Sequence, residues 1–439
     1  MKKEILKTII RDFHVNTIPD LVERDISLPN HSGKIISLVG VRRGGKTSLL
    51  LNHAAHLVQN GLDRSLIVYI NFEDERLDLK TSDLDLILQA YRELYPDLNL
   101  QECHFFFDEI QNIDGWEKFV RRIYDSVTKN IFITGSNSKF LSREIATSLR
   151  GRTLSIEVLP LSFREYLRFH NQPVDLVGSQ SIAAIQNRFL QYLSRGGFPE
   201  LVRVSEAIRT SVLQEYFNVM LYRDMIERYR IGNAMLLKYF IKRLLSSSTK
   251  SVSVNSIYND LKSSGIKIGK NQLYEYFEMC QNIYLVFSLS KYSYTPVVRE
   301  LGERKIYAVD NGLLNAVTFR FSDDSGKALE QLVFLELKRQ GKEIFFYKNK
   351  SECDFIVQKE EKPILAIQAA WTIEDDTTRR REFRGLVDAC TSLGLKEGLI
   401  ITADTNEDVE AGGINIKIRS FARWALEDSS TFKVQGSEL

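Results

Sequence analysis

Proline and cysteine are scarce in this 439-residue sequence, with eight and four copies. So few prolines leave no Pro-rich linker and little room for long disordered segments. The cysteines, Cys103, Cys280, Cys353 and Cys390, are scattered without a C-x-x-C pair, which gives neither a zinc motif nor a disulfide framework and fits a reducing compartment. No apolar run approaches the length of a membrane span. The opening "MKKEILKTIIRDFHVN" starts basic but lacks the apolar core and small-residue cleavage site of a signal peptide. A cytoplasmic location without membrane contact is expected. A strong excess of one charge sign is also missing: the formal net charge of +2 excludes a globally basic nucleic-acid coat. What remains is an ordinary globular composition, 44% hydrophobic and 26% charged, in a chain long enough for two or three domains.

The most informative stretch is "GVRRGGKTSLL", which begins at Gly40 after the apolar run "IISLV" and leads into "SLLLNHAAHLV". Gly40, Gly45, Lys46 and Thr47 fit the phosphate-loop spacing G-x-x-x-x-G-K-[ST], in the required context between a strand and a helix. Gly40, Arg42, Arg43, Gly44, Gly45, Lys46, Thr47 and Ser48 are therefore the candidate nucleotide-binding residues. The glycines admit close backbone approach, and the loop N–H groups and the helix N-terminus face the anion. Lys46 then reaches the β- and γ-phosphates, and the Thr47 hydroxyl holds Mg²⁺.

Three more strands extend this site. "SLIVYINFED" ends in polar residues from Asn71 to Asp74. "CHFFFDEIQ" carries Asp108 and Glu109 at its end, where Asp108 is expected on Mg²⁺ and Glu109 on the attacking water. "NIFITGSNSKFL" presents Thr134, Ser136 and Asn137, short polar groups suited to sensing a γ-phosphate or catalytic water, although Gly-Ser-Asn is also ordinary turn chemistry. Arg150 and Arg152 flank a glycine before a fifth strand and are candidate arginine fingers, in cis or in trans; a surface salt bridge is the alternative.

Together "GVRRGGKT", "YINFED", "FFDEIQ", "TGSNSKFLS", "LRGRTLSIEVLPLSFREYL" and "GGFPE" resemble the AAA+-like P-loop ATPase domain of a large group of archaeal and bacterial ATPases. The resemblance implies an α/β fold with an ASCE-type parallel sheet over 1–172, Mg²⁺-dependent ATP binding and hydrolysis, and Glu109, Lys46, Asn137 and Arg152 as catalytic residues. No guanine-reading N-K-x-D motif is present, which agrees with ATP. Members of the group usually carry a C-terminal domain resembling a PD-(D/E)xK nuclease, expected here over 311–439.

Between these ends, 173–235 reads as a helical lid or connector, with apolar residues at three- and four-residue intervals. The segment 236–310 resembles a winged helix-turn-helix whose second helix, Asn271 to Cys280, is the candidate recognition helix, with Lys267, Lys270, Asn271 and Gln272 at its start. From Leu237 to Lys305 there are eleven Lys and Arg against five Asp and Glu, which favours a phosphate-facing surface, although Glu275 and Glu278 oppose it. DNA is the expected partner and a protein the alternative one.

In the last part, Glu330 and Asp354 fall where the resemblance expects nuclease acids, but the expected E-x-K is Gln368 and Ala370. Glutamine is a poorer hard-metal ligand than a carboxylate, and alanine supplies no charge. An inactive, fold-supporting remnant is expected. The leading reading is an ATP-hydrolysing switch or motor on DNA. The alternatives are a nucleotide-responsive regulatory module with little turnover and an ATP-driven nuclease, against which Gln368 and Ala370 argue.

Overall fold

The structure, a computed structural model, describes residues 1–30, 32–136, 149, 151–295, 297, 299, 302–318 and 324–427. The chain divides into two units, Met1–Leu159 and one that begins at Pro160.

In the first unit, strands β1 (Ile35–Val39), β2 (Ile67–Asn71), β3 (His104–Asp108), β4 (Ile131–Gly135) and β5 (Thr153–Glu157) form a parallel sheet in the order β2-β3-β4-β1-β5. β1, β3 and β4 are buried along their whole length, as central parallel strands are when both faces are covered. Helices α1 (Lys2–Val15), α2 (Lys46–Gln59), α3 (Asp85–Leu94) and α4 (Trp116–Ser126) accompany them. Leu49, Leu50, Ala54 and Leu57 of α2 share a core with Ile36, Leu38, Phe106 and Phe132 of the sheet. Because all five strands run the same way, the residues after Val39, Asn71, Asp108 and Gly135 meet at one edge, where parallel sheets bind ligands.

The second unit opens with helices α5 (Phe163–Phe169), α6 (Ser179–Arg195) and α7 (Glu206–Val219), the last continuing as a π-helical stretch, Met220–Glu227. Helix α5, placed by sequence within 1–172, packs in this unit because Phe163, Tyr166 and Leu167 lie in its core beside Phe189 and Phe421. Next come α8 (Ala234–Leu245), β6 (Ser251–Val252), α9 (Val254–Ser263), α10 (Lys270–Asn282), β7 (Val286–Ser290) and β8 (Arg304–Ala308), whose strands form a three-stranded sheet in the order β6-β8-β7. After α11 (Asn311–Val317) and α12 (Ser325–Arg339) comes a mixed sheet built of β9 (Glu343–Lys348), β10 (Glu352–Lys359), β11 (Lys362–Ala369), β12 (Glu397–Thr402), β13 (Glu407–Ala411) and β14 (Ile414–Ser420). Its order is β13-β14-β12-β11-β10-β9. One face buries Phe355, Val357 and Ile367 against α5, α6, α12 and α14 (Phe421–Glu427). The other buries Ile356, Ala366 and Ile400 against α13 (Asp376–Leu393).

The "GGFPE" stretch has a specific job in this unit. Gly196 ends α6 with φ +76°, and a Cβ there would sit 2.1 Å from an Asp310 carboxylate oxygen. Asp310 accepts the Gly197 N–H at 2.6 Å and the Leu313 N–H at 2.9 Å, so one buried carboxylate caps α11 and pins the turn after α6. Burial pushes the Asp310 carboxyl up to about 6.

Candidate nucleotide site

The loop from Gly40 to Gly45 joins β1 to α2, which places all eight candidate nucleotide-binding residues on the loop and the first turn of the helix. Gly40 has φ +150°, and a Cβ there would lie 2.1 Å from the Val158 carbonyl oxygen, so the close approach of two backbones requires glycine. The Gly44 N–H turns back onto the Val41 carbonyl at 3.1 Å. Lys46 is buried, its Nζ donating to the carbonyls of Gly40 at 3.1 Å and Val41 at 3.0 Å, with Glu109 Oε1 at 3.7 Å. Arg42 pairs with Glu73 at 3.1 Å, while Arg43 and Ser48 are exposed.

Asp108 and Glu109, expected on the metal and the water, arrive together at the end of β3. Thr134, at the end of β4, connects them: its hydroxyl donates to Asp108 Oδ1 and accepts the Glu109 N–H at 2.8 Å. Tyr69 donates to Asp108 Oδ2 at 3.0 Å. Burial pushes the Asp108 carboxyl above the usual range, opposed by hydrogen bonds from Thr134, Thr47 and Tyr69. The two expected metal-binding groups, Thr47 and Asp108, are therefore in contact. Burial alone would also raise Glu109, but Lys46, Gln111, Arg42 and Ser136 together hold it below the usual range. Glu109 is thus an ionised carboxylate in a buried site, held at φ +53°, a left-handed conformation that non-glycine residues adopt at a cost.

Asn137 and Arg150 lie outside the described residues. Arg152 is described, and it is not at the nucleotide edge. Its carbonyl accepts from the Ile35 N–H at the start of β1, whereas the phosphate loop follows the end of that strand. Its guanidinium grips Asp125 at 2.9 Å and 3.3 Å and lies over the Tyr124 ring. Arg152 is a surface brace at the opposite edge of the sheet, because parallel strands put their starts and ends on opposite sides.

Sequence reasoning missed three supporting residues. Arg24 is buried and donates to the carbonyls of Gly44 at 3.1 Å and Leu159 at 2.8 Å, fixing the loop from behind. Tyr69 holds Asp108, and its only signal was its place on a strand leading to the ligand edge. Gln111 donates to Glu109 Oε2, and its Oε1 is buried without a hydrogen-bond partner. That atom is an orphaned acceptor beside the carboxylate, as expected where a site is shaped for further polar atoms.

The nuclease-like acids also meet, in the second unit. Glu330 of α12 and Asp354 of β10 converge on a residue that sequence reading had not selected, Lys305 of β8, at 3.1 Å and 2.8 Å. Gln368 spends its amide on structure, accepting the Asp354 N–H at 3.2 Å and donating to Glu382 at 2.6 Å. Ala370 is buried. No described helix is long and apolar enough to cross a membrane.

Comparison with known proteins agrees with the phosphate-loop geometry. The family described as an AAA domain matches residues 32–167, and two domains of unknown function match 186–324 and 325–421. The protein named "uncharacterized protein MJ1544" from Methanocaldococcus jannaschii is 36% identical over 97% of this chain and 96% of its own length. An uncharacterized protein of Haemophilus influenzae is 30% identical over 87% of this chain and 92% of its own. Among solved structures, Aeropyrum pernix ORC1 in complex with DNA aligns over 72% of this chain and 91% of its own, with 13% identity and a TM-score of 0.28. AMPPCP-bound DnaA from Aquifex aeolicus aligns over 64% and 88%, with 13% identity and a TM-score of 0.25. Scores that low carry neither fold nor function from one chain to the other. The chain belongs to the family of these two archaeal and bacterial relatives and contains an AAA domain of the P-loop type.

Proposed function

We propose that this family member is a Mg²⁺-dependent ATPase, a switch or motor that acts on DNA. The observation that carries the enzymatic half is the Asp108–Glu109 pair at the end of β3, joined through Thr134, with Glu109 Oε1 3.7 Å from the phosphate-loop lysine. The residues fit Mg²⁺ and nucleotide: a hydroxyl and a carboxylate touch, and a buried ammonium rests on neutral carbonyls from which it can turn to phosphate. Thr47 and Asp108 would hold the metal, which when bound neutralises phosphate charge. The loop N–H groups and the α2 N-terminus would cradle the phosphates, and Lys46 would bridge the β- and γ-positions. Glu109, ionised and steadied by Gln111, would take a proton from the attacking water and orient it. Serine and threonine at the end of β4 would complete the polar wall through Thr134 and Ser136, both buried there.

The DNA half rests on the second unit. The order α8-β6-α9-α10-β7-β8 supports the winged-helix reading, with Lys270, Asn271 and Gln272 exposed at the start of α10 and Lys267 exposed just before it. The six-stranded sheet with α12 and α13 supports the nuclease-like reading of the C-terminal part. Gln368, Ala370 and the lysine between the acids support its being inactive. One observation favours a second reading, regulation of a protein partner: Tyr274, Glu275 and Glu278 are also exposed on α10, a mixed face that suits protein as well as DNA.

The test is steady-state hydrolysis by the purified full chain, with and without Mg²⁺ and with and without duplex DNA. Turnover that needs Mg²⁺ and rises with DNA is expected. Mg²⁺-dependent turnover indifferent to DNA moves the output to a protein partner, and nucleotide binding without turnover removes the enzyme.

A further inference from the structure

The Lys305 ammonium is surrounded as a bound metal ion would be. It extends from the three-stranded sheet to Asp354 Oδ1 at 2.8 Å, Glu352 Oε1 at 2.8 Å and Glu330 Oε1 at 3.1 Å. Two of its N–H groups donate to carboxylates, those of Asp354 and Glu330, and Glu352 adds a third negative charge at ion-pair distance. Two further donors support the buried acids: Tyr307 donates to Glu330 Oε1 at 2.8 Å, and the Ala369 N–H donates to Asp354 Oδ2 at 3.1 Å. The Lys305 side chain is only 2% exposed and is buried together with Glu330 and Asp354, while Glu352 reaches it from the exposed side. Burial alone would lower the lysine, but Asp354, Tyr307, Glu330 and Glu352 hold it well above its usual range, and it stays charged. Among the described residues no group of three or more His, Cys, Asp and Glu side chains is set to hold a metal ion. Around Lys305 the carboxylate oxygens stand at ammonium distances, a few tenths of an ångström beyond the roughly 2.3–2.6 Å of Ca²⁺ ligands.

We propose that Lys305 is a built-in cation. Its ammonium fills a position on the six-stranded sheet at which Glu330, Glu352 and Asp354 would otherwise take a hard divalent ion, and it thereby ties the three-stranded sheet to the six-stranded one without metal. Glu330 comes from α12, the other two acids from β10, and the lysine from β8, so the clasp joins three elements distant in sequence. The clasp has a functional consequence: this position on the six-stranded sheet is closed to Mg²⁺, and the divalent requirement proposed above belongs to the nucleotide site. The clasp itself rests on no part of the nucleotide reading.

The experiment compares thermal midpoints of the full chain and two variants, without nucleotide, in EDTA, Ca²⁺ or Mn²⁺. The wild type should be indifferent to all three. K305A leaves the acids facing a hole and should melt on the order of 10 °C lower in EDTA. Ca²⁺ or Mn²⁺ should restore much of that loss and bind with one more ion per chain than in the wild type, read by calorimetry. K305M keeps the stem in the hole and should be destabilised without rescue. Adding D354N to K305A should abolish both rescue and extra binding. Should K305A fold only with divalent ion in the medium, its soluble yield becomes the readout and supports the same conclusion. A K305A protein that ignores both ions, is insoluble with and without them, or responds no differently from K305M overturns the proposal.

Discussion

Lys46 and Lys305 are both buried and both face carboxylates, yet their surroundings differ in kind. Lys46 rests on two carbonyls of a glycine-rich loop, with its carboxylate at 3.7 Å. Lys305 is gripped by three carboxylates at 3.1 Å or less. A neutral carbonyl is a weaker partner for an ammonium than a carboxylate, so a polyphosphate can draw Lys46 away from its resting contacts. Nothing comparable competes for Lys305, because releasing it would leave buried acids unpaired. On the proposed function the same side chain is a binding group in one unit and a brace in the other, and the difference lies in what satisfies it at rest.

The sharpest test of that contrast is Lys46→Ala. No other loop residue can carry its ammonium to the β- and γ-phosphates, so nucleotide binding and hydrolysis should be lost while the thermal midpoint moves little, the reverse of the Lys305 variants. Titration of a fluorescent ATP analogue beside a melting curve checks both at once; a folded variant that turns over ATP normally would remove the proposed site.

Glu109→Gln should have the next largest effect. It removes the charge near Lys46 but keeps the shape, so ATP and Mg²⁺ should still bind while hydrolysis slows by roughly 10²–10⁴-fold, the usual contribution of a positioned base. Single-turnover kinetics separates this from a binding defect. Near-normal turnover would place the base elsewhere.

These residues were legible because their signal is local. The phosphate loop is contiguous, and "HFFFDE" shows a buried strand with acids at its end. Arg24, Tyr69 and Gln111 carry no such signal, since each acts on a partner fixed only by the sheet order. The distance of Arg152 from this chain's own phosphate loop was illegible for a related reason: a glycine and arginine before a strand say nothing about which edge that strand begins on. Lys305 misled in another way. It was counted in the positive excess between Leu237 and Lys305, but it is buried on carboxylates and adds nothing to a DNA-facing surface. Arg243, counted with it, pairs with Asp260 at 3.2 Å. The two helices and the strand after them were visible in outline, from apolar spacing and one glycine turn. The ion-pair map that decides their surface charge was not.

Asp310 offers a smaller, pH-dependent comparison with the nucleotide-site acids. Its carboxyl is pushed from the ordinary 3.8 up to about 6 by burial, so between those values the folded chain holds a proton that the unfolded chain releases. The folded state is favoured by this group below about pH 4, and that contribution fades as pH rises through 6, by about 3 kcal/mol in all. Asp310→Asn cannot titrate. The gap between wild-type and variant denaturation midpoints should therefore change steadily between pH 4 and 6.5, with the wild type losing ground as pH rises. A constant gap would mean that Asp310 titrates as an ordinary surface acid.

The last and smallest effect concerns lysines whose surroundings resemble neither site. Lys270 is exposed at the start of α10, and Lys267 is exposed in the loop before it. If this face meets DNA, each acts as a phosphate contact that releases counterions, worth a slope of about 0.9 in the dependence of log affinity on log salt. Replacing both with Ala should weaken binding moderately at low salt and flatten the slope by nearly 2, leaving ATP hydrolysis without DNA unchanged. Asn271→Ala should act differently, relaxing sequence preference with little change in slope, because an amide can read a base edge but displaces no counterion. Gln272 is the weaker probe, since its amide already donates to the Tyr276 hydroxyl at 2.9 Å. Titrations of duplex DNA at several salt concentrations distinguish the outcomes. An unchanged slope in the double-lysine variant takes DNA away from this face, and leaves Tyr274, Glu275 and Glu278 as the features that choose its partner.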